Sequence, residues 1–175
     1  IFANSPIVEG KPSGYLSYRS YCWLDTDADR SGILPFVFED SFDVRRYVDW
    51  ALDVPMFLVK RGDRVMRNTS QTFRVFLKEG IEGHRANLVD WEMHLNTLFP
   101  EVRLKRTIEV RGADSLPTDL TCALPALWKG ILYDDGAMDA AWALVQSMTI
   151  AERETLRAEV PRLGLGARLG RHALR

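Results

Sequence analysis

Apolar and polar residues alternate most regularly between Val102 and Arg111. The even-numbered positions are apolar, with Arg106 as the exception: Val102, Leu104, Ile108 and Val110. The odd-numbered positions are polar: Arg103, Lys105, Thr107, Glu109 and Arg111. Because successive side chains of a strand point to opposite faces, the pattern predicts one strand that packs its apolar face on a core. Its polar face then carries Glu109 beside Arg111.

Around this strand, the patterns predict a mixed fold. An aromatic-rich stretch predicts a strand at 15–25, and two apolar arms around Gly62 and Asp63 predict a hairpin at 56–67. Helices are predicted at 41–52, 72–79, 88–99, 116–133 with a break near Pro125, 137–148, and 149–160 with a Thr149–Glu152 capping box. Strands precede most helices without regular strand–helix alternation, which favours an α+β fold with a largely antiparallel sheet.

Composition and charge narrow the function classes. The 175 residues suffice for one domain with a core, and a net charge of −1 gives no reason to expect nucleic acid or an anionic membrane as partner. No apolar run reaches the roughly 20 residues of a membrane span. Cys22 and Cys122 lack metal-ligand spacing and suggest free thiols in a reducing compartment, or else a single bridge. We therefore predict a cytoplasmic protein.

Two arginine-centred patterns could carry chemistry. A carboxylate such as Glu109 can bind Mg²⁺, and the neighbouring Arg111 can clamp a carboxylate or a phosphoryl group. The alternative is a surface ion pair that contributes little to stability. Arg19, which lies among aromatic residues, could bind an anion or could cover apolar surface at a strand edge.

Several familiar sites are excluded by spacing. The acidic run from Asp25 to Asp29 resembles the start of a calcium loop, but Arg30 and Phe36 occupy the positions that require Gly and Glu. His94 has no second His or Cys at zinc-ligand spacing, so we expect it to be packed or hydrogen-bonded. The sequence contains neither a P-loop nor a G-x-G-x-x-G motif.

Longer blocks of sequence resemble a known family. The blocks ANSPIVEGKPSGYLSYRS, LPFVFEDSF, YVDWALDVPM, FPEVRLKRTIEVRGAD and CALPALWKGILYDD occur in this order. Together they resemble the plant and proteobacterial type of glutamate–cysteine ligase, a member of the carboxylate–amine ligase superfamily, from Phe2 to about Leu163. The resemblance implies a fold similar to glutamine synthetase. In that fold a curved, mostly antiparallel sheet carries helices on its outer face.

The resemblance also implies a reaction and a set of site residues. In this family, ATP phosphorylates the γ-carboxylate of L-glutamate, and the amine of L-cysteine attacks the γ-glutamyl phosphate in the first step of glutathione synthesis. Mg²⁺ accompanies ATP. By this resemblance Glu109 is a metal ligand and Arg111 is a catalytic and substrate-binding residue at the transferring phosphoryl group. Arg19 binds glutamate, and Tyr133 lies near the cysteine pocket.

The family's members are much longer than this chain, and their further acidic metal ligands precede the matching region. We therefore expect 1–175 to be a single segment, the C-terminal part of a longer catalytic domain, and to be inactive alone. Residues 161–175, rich in Gly and Arg, are predicted to be a flexible tail. Two alternatives stay open: a related carboxylate–amine ligase with another amine acceptor, and a binding domain without catalysis.

Overall fold

Helices form most of the regular structure in the computed structural model, which describes residues 3–169 and 172–173. The helices are α1 (Tyr18–Cys22), α2 (Val44–Asp53), α3 (Phe73–Glu79), α4 (Leu88–Asn96), α5 (Thr118–Thr121), α6 (Ala123–Leu132), α7 (Asp135–Val145) and α8 (Ile150–Leu163). The strands are β1 (Ile7–Val8), β2 (Lys11–Pro12), β3 (Ser31–Gly32), β4 (Leu58–Arg61), β5 (Arg64–Arg67), β6 (Phe99–Pro100), β7 (Val102–Leu104), β8 (Ile108–Val110), β9 (Arg168–Leu169) and β10 (His172–Ala173). The chain divides into two compact units, Ile1–Asp25 with Gly112–Arg175, and Thr26–Arg111.

The strands pair two by two. Four pairs among the described residues are antiparallel, β1–β2, β4–β5, β7–β8 and β9–β10, and β3 pairs in parallel with β6. These pairings confirm an α+β fold with mostly antiparallel strands. The described residues do not build one wide curved sheet, because their strands are only two to four residues long and each pairs with a single neighbour.

Unit Thr26–Arg111 holds both clusters of buried apolar side chains identified among the described residues. Residues of β4, β5 and α3 and the segment before β4 form the first: Met56, Val59, Met66, Phe73 and Phe76. Residues of α2, its C-terminal boundary and the segment after α4 form the second: Ala51, Val54 and Leu98. The predicted hairpin at 56–67 is confirmed by the β4–β5 pairing. The helix α3 ends at Glu79 as predicted and begins one residue later than predicted, with Thr72 as its N-cap and Gly80 as its C-cap.

His94 is a packed histidine of α4, as expected. Its ring is buried against Phe73, and its Nε2 donates a hydrogen bond to the carbonyl oxygen of Ala51 over 2.7 Å. Burial lowers the pKa of His94, so the neutral form is favoured. α4 ends at Asn96, earlier than predicted, and Phe99 then pairs with Ser31.

The strand predicted at 15–25 is wrong. Residues Tyr18–Cys22 form α1, because Ser17 supplies a helix N-cap whose Oγ accepts from the backbone N–H of Ser20. α1 packs on α8, and the N–H groups of Leu16 and Ser17 both donate to the carbonyl oxygen of Pro161. Local aromatic content therefore indicated a strand where the cap and tertiary packing select a helix.

The C-terminal helices match the predicted pattern with shifted ends. The break in 116–133 falls at Cys122 between α5 and α6, and Pro125 lies in the first turn of α6, where its missing N–H costs no hydrogen bond. The Thr149–Glu152 capping box of α8 is confirmed, and the helix continues to Leu163. A 3-10 turn (Gly164–Gly166) and the β9–β10 pair follow.

Part of the predicted tail at 161–175 therefore has regular structure. Residues 170–171 and 174–175 lie outside the described residues, and the flexibility of the tail stays a prediction. Among the residues that are described, each helix is too short or too polar to cross a lipid bilayer.

Candidate functional site

The segment predicted as one long strand is a hairpin. β7 and β8 pair antiparallel around a turn at 105–107, in which the N–H of Lys105 donates to the carbonyl oxygen of Thr107 over 3.0 Å. The prediction of a continuous strand is therefore wrong. Three consecutive polar residues, Lys105, Arg106 and Thr107, separate two apolar arms, and pairing the arms satisfies their backbone groups. Arg103 comes to lie directly opposite Glu109.

The two faces of this hairpin are also inverted relative to the prediction. Val102 and Ile108 are 49% and 61% exposed, whereas Arg103 is only 8% exposed. The reason is the hydrogen bonding of the arginine. Its Nη1 donates to the carbonyl oxygens of Asn96 (2.8 Å) and Leu98 (3.0 Å), at and beyond the C-terminal end of α4. These hydrogen bonds to carbonyl oxygens allow the guanidinium to be buried, because a buried polar group needs partners.

Glu109 is the acceptor at the centre of this face. Arg103 donates to it from Nε (3.1 Å) and from Nη2 (2.7 Å to Oε2 and 3.0 Å to Oε1). Arg111 donates from Nη1 to Oε1 over 2.7 Å, and the Lys105 ammonium lies 3.5 Å from Oε2. The hydrogen bonds from Arg103, followed by those from Arg111, lower the pKa of Glu109 to about 2.

Arg111 directly follows β8 and is held from several sides. Its backbone N–H donates to the carbonyl oxygen of Glu101 over 3.0 Å, and its guanidinium lies 5.5 Å from the centroid of the Phe99 ring. The contact with Glu109 fixes the direction of the guanidinium. The structure therefore brings Glu109 and Arg111 together, as the spacing predicted.

This cluster suits an anion better than a cation. Three cationic side chains face one carboxylate, so the cluster carries a net positive charge. Both oxygens of Glu109 already accept hydrogen bonds, and the described residues contain no group of three His, Cys, Asp or Glu side chains placed to hold a metal ion. Mg²⁺ prefers octahedral oxygen ligation. Glu109 by itself therefore does not fit a Mg²⁺ site.

Arg19 and Tyr133 belong to the other unit, formed by Ile1–Asp25 and Gly112–Arg175. Arg19 is half-buried in α1, with its guanidinium 6.0 Å from the centroid of the Trp23 ring. Tyr133 is the C-cap of α6 and is 85% exposed. Arg19 thus lies on a helix rather than on the predicted strand, and the phenol of Tyr133 lies at the surface.

The chain matches a protein-family model along its whole length. The model of glutamate–cysteine ligase family 2 (GCS2) matches residues 1–175. The chain belongs to this family. The block resemblance described above is thereby confirmed over the whole chain.

Curated relatives of this family share about half of the residues. The chain is 54% identical over 168 residues to the chloroplastic glutamate–cysteine ligase of Arabidopsis thaliana, covering 94% of this chain and 32% of that protein. It is 53% identical to chloroplastic glutamate–cysteine ligase A of Oryza sativa subsp. indica, covering 94% of this chain and 34% of the relative. The chain therefore spans about a third of the length of the curated relatives it matches.

The names of these relatives correct one prediction. They are chloroplastic enzymes, so the cytoplasmic location expected from the two cysteines is wrong. Cys22 and Cys122 are both free and exposed in the structure. Free thiols indicate a reducing environment but do not distinguish one reducing compartment from another.

Two residues of the family blocks were not singled out from the sequence. Arg103 is one of the five polar residues on the predicted strand face. It lies an even number of positions from Glu109, which is the signal that the two side chains share a face. Asp114 is the second: it is buried, 5% exposed, and accepts hydrogen bonds from residues near the start of the chain. No local pattern identifies that role, because its partners are about 100 residues away in sequence.

Proposed function

We propose that the whole protein ligates L-glutamate to L-cysteine through a γ-glutamyl phosphate, with ATP as phosphoryl donor, in the first step of glutathione synthesis. The observation that carries this proposal is the cluster of cationic side chains around Glu109, which includes Arg111 and lies in a chain of the glutamate–cysteine ligase family. An acyl phosphate and its transition state are anionic, and a preoriented guanidinium stabilises such charge.

Arg111 is the catalytic residue of this proposal. Glu109 and the Phe99 ring hold its guanidinium, so little orientation has to be gained when the anion arrives. A guanidinium can offer two parallel N–H groups to a phosphoryl or carboxylate group. We propose that Arg111 contacts the transferring phosphoryl group and the γ-carboxylate of glutamate.

The resemblance assigns Glu109 to Mg²⁺, and this assignment stays a proposal with a condition. Mg²⁺ would need further oxygen ligands, from substrate phosphates or from other parts of the whole protein. One oxygen of Glu109 would also have to give up its hydrogen bond from an arginine in order to bind the metal. Without such ligands, the role of Glu109 is to hold Arg103 and Arg111. The same condition makes residues 1–175 by themselves an incomplete site, and we propose that they are inactive alone.

Arg19 and Tyr133 are the proposed substrate-binding residues of the other unit. A half-buried guanidinium at the start of a helix is suited to a carboxylate of glutamate. The exposed phenol of Tyr133 offers one donor and one acceptor, which supports contact with the small polar substrate cysteine.

Exposed apolar surface supports the proposal that other parts of the whole protein pack on residues 1–175. α6 and α7 expose several large side chains: Leu127, Leu132, Met138, Trp142 and Leu144. The β7–β8 hairpin exposes Val102 and Ile108. We propose that residues 1–175 are a single segment, the C-terminal part of a longer catalytic domain. The hairpin then joins a curved, antiparallel, glutamine-synthetase-like sheet whose outer face carries the helices.

An acceptor assay on the whole protein tests the function. The protein is incubated with glutamate, ATP and Mg²⁺, together with cysteine or one of a set of other amines, and ADP and the dipeptide product are measured. We expect γ-glutamylcysteine with a clear preference for cysteine. A preference for another amine would indicate a related carboxylate–amine ligase, and the absence of ADP release with every amine would indicate a binding protein without catalysis.

A further inference from the structure

A buried carboxylate lies where three stretches of the sequence, at residues 4–5, 17 and 114, meet. Asp114 is 5% exposed and belongs to the same unit as residues 4–20. Its Oδ2 accepts hydrogen bonds from the backbone N–H of Asn4 (2.7 Å) and from the hydroxyl of Ser5 (2.7 Å). Its Oδ1 accepts from the hydroxyl of Ser17 (2.9 Å). The carboxylate, which lies at the end of the block FPEVRLKRTIEVRGAD, therefore joins the two ends of the block ANSPIVEGKPSGYLSYRS.

Ser5 connects this carboxylate to Arg19. The Ser5 hydroxyl donates to Asp114 and accepts a hydrogen bond from the backbone N–H of Arg19 over 3.1 Å. The backbone reinforces the connection, because the N–H of Tyr18 donates to the carbonyl oxygen of Ser5 over 3.0 Å. The position of the Arg19 main chain thus depends on a hydroxyl whose direction Asp114 sets.

Ser17 provides a second connection at the start of the same helix. Its hydroxyl caps α1 by accepting from the N–H of Ser20 (3.1 Å), and its own proton goes to Asp114. A helix of five residues is too short to be stable by itself in water. The first turn of α1, which carries Arg19, is therefore built on the two oxygens of Asp114.

We propose that Asp114 is a positioning residue that places Arg19 for glutamate. This inference rests on the proposed function, because it takes Arg19 as the residue that binds glutamate. Asp114 does not touch the substrate. It acts through Ser5 and Ser17, and a small displacement of a binding group is costly, since productive geometry must be held within a fraction of an ångström.

The test uses the whole protein and compares variants by their separate effects on each substrate. Ser5→Ala removes the link to Arg19 and leaves Asp114 with its other two partners, and Asp114→Asn removes the charge but keeps the shape. We expect each variant to raise the KM for glutamate roughly tenfold, with the KM for ATP unchanged. Ser5→Thr keeps the hydroxyl and should restore most of the affinity.

Two controls separate positioning from general destabilisation. Ser13→Ala removes another hydroxyl of the same segment, one that donates to the carbonyl oxygen of Pro6 and does not contact Asp114, and it should leave the KM for glutamate unchanged. In an Arg19→Ala background, Ser5→Ala should add no further increase in the KM for glutamate, because the two changes remove one function.

The outcomes are distinct. A lower melting temperature of Ser5→Ala and Asp114→Asn with an unchanged KM for glutamate would overturn the inference and make Asp114 purely structural. The same conclusion would follow if Ser5→Ala raised the KM equally in the wild-type and Arg19→Ala backgrounds. A wild-type protein that does not use glutamate at all would contradict the proposed function itself, and the positioning role would fall with it.

Discussion

Arg103 holds the carboxylate of Glu109 with two nitrogen atoms from directly across the β7–β8 hairpin. The third nitrogen of the same guanidinium donates to two carbonyl oxygens at and beyond the end of α4. One buried side chain therefore connects the end of a helix to the acceptor that orients Arg111. Arg103 therefore fixes the position of Glu109, and through Glu109 that of Arg111, in the candidate site.

Arg103→Ala should destabilise the protein more than the loss of an ordinary surface ion pair. It leaves the carbonyl oxygens of Asn96 and Leu98 without this donor and removes the main partner of Glu109. We expect a loss of about 2 kcal/mol in the free energy of unfolding, measured by urea denaturation.

Arg106→Ala is the matched control, since Arg106 is exposed and pairs with Glu92 at the surface, and it should change stability by less than about 1 kcal/mol. Equal effects of the two variants would contradict the prediction.

Arg111→Ala should lower turnover without unfolding the whole protein. Its guanidinium lies beside Glu109 and Phe99 rather than inside a core cluster. If it stabilises the anionic transition state, kcat should fall by about a hundredfold or more, while the circular dichroism spectrum and the melting temperature stay close to those of the wild type. Arg64→Ala, at an exposed arginine of the β4–β5 hairpin, is the control and should keep full activity. Loss of the fold, rather than of rate, would make Arg111 structural.

Glu109→Ala should also lower turnover strongly while the fold persists, because Arg111 then loses the acceptor that orients it. The effect should be smaller than that of Arg111→Ala if Glu109 only holds the arginine. If Glu109 also binds Mg²⁺, the concentration of Mg²⁺ that gives half of the maximal rate should rise in the variant. Titration of Mg²⁺ at saturating ATP distinguishes the two roles, and full activity of the variant would exclude both.

The low pKa of Glu109 predicts a stability change in acid. Hydrogen bonds from Arg103 and Arg111 place this pKa at about 2, against 4.5 for an unperturbed side chain. The unfolded state therefore binds the proton first as the pH falls. The stabilisation is fully present above about pH 4.5 and is lost as the pH falls through about 2. Glu109→Gln should show a shallower loss of melting temperature between these pH values, and Glu79→Gln, at an exposed helix position, should follow the wild type.

His94 predicts a second change at milder pH. Burial lowers its pKa in the folded state, so the unfolded state takes up the proton first as the pH falls below 6.5, the value of an unperturbed histidine. Stability should therefore decrease from pH 7 toward pH 5. His94→Gln can keep a donor for the carbonyl oxygen of Ala51 while removing the titration, and it should flatten this slope. His84→Gln serves as the control, and an equal flattening there would refute the assignment.

Short-range patterns predicted the elements whose determinants are local. The hairpin at 56–67, the short helix that ends at Glu79 and the Thr149–Glu152 capping box each depend on residues within a few positions of one another, and each is present. The pairing of Glu109 with Arg111 was predictable for the same reason, because two residues separated by one position lie on the same side of a strand.

The sequence by itself determined the family, the α+β class and the proximity of Glu109 to Arg111. The tertiary structure alone decided which face of the β7–β8 hairpin is buried, because the buried face follows the carbonyl oxygens at the end of α4 that Arg103 satisfies. It also supports the helix at residues 18–22, since Asp114 accepts a hydrogen bond from the capping hydroxyl of Ser17, 97 positions away. Alternation reports which side chains share a face, but the partners that a buried polar group requires come from distant parts of the chain.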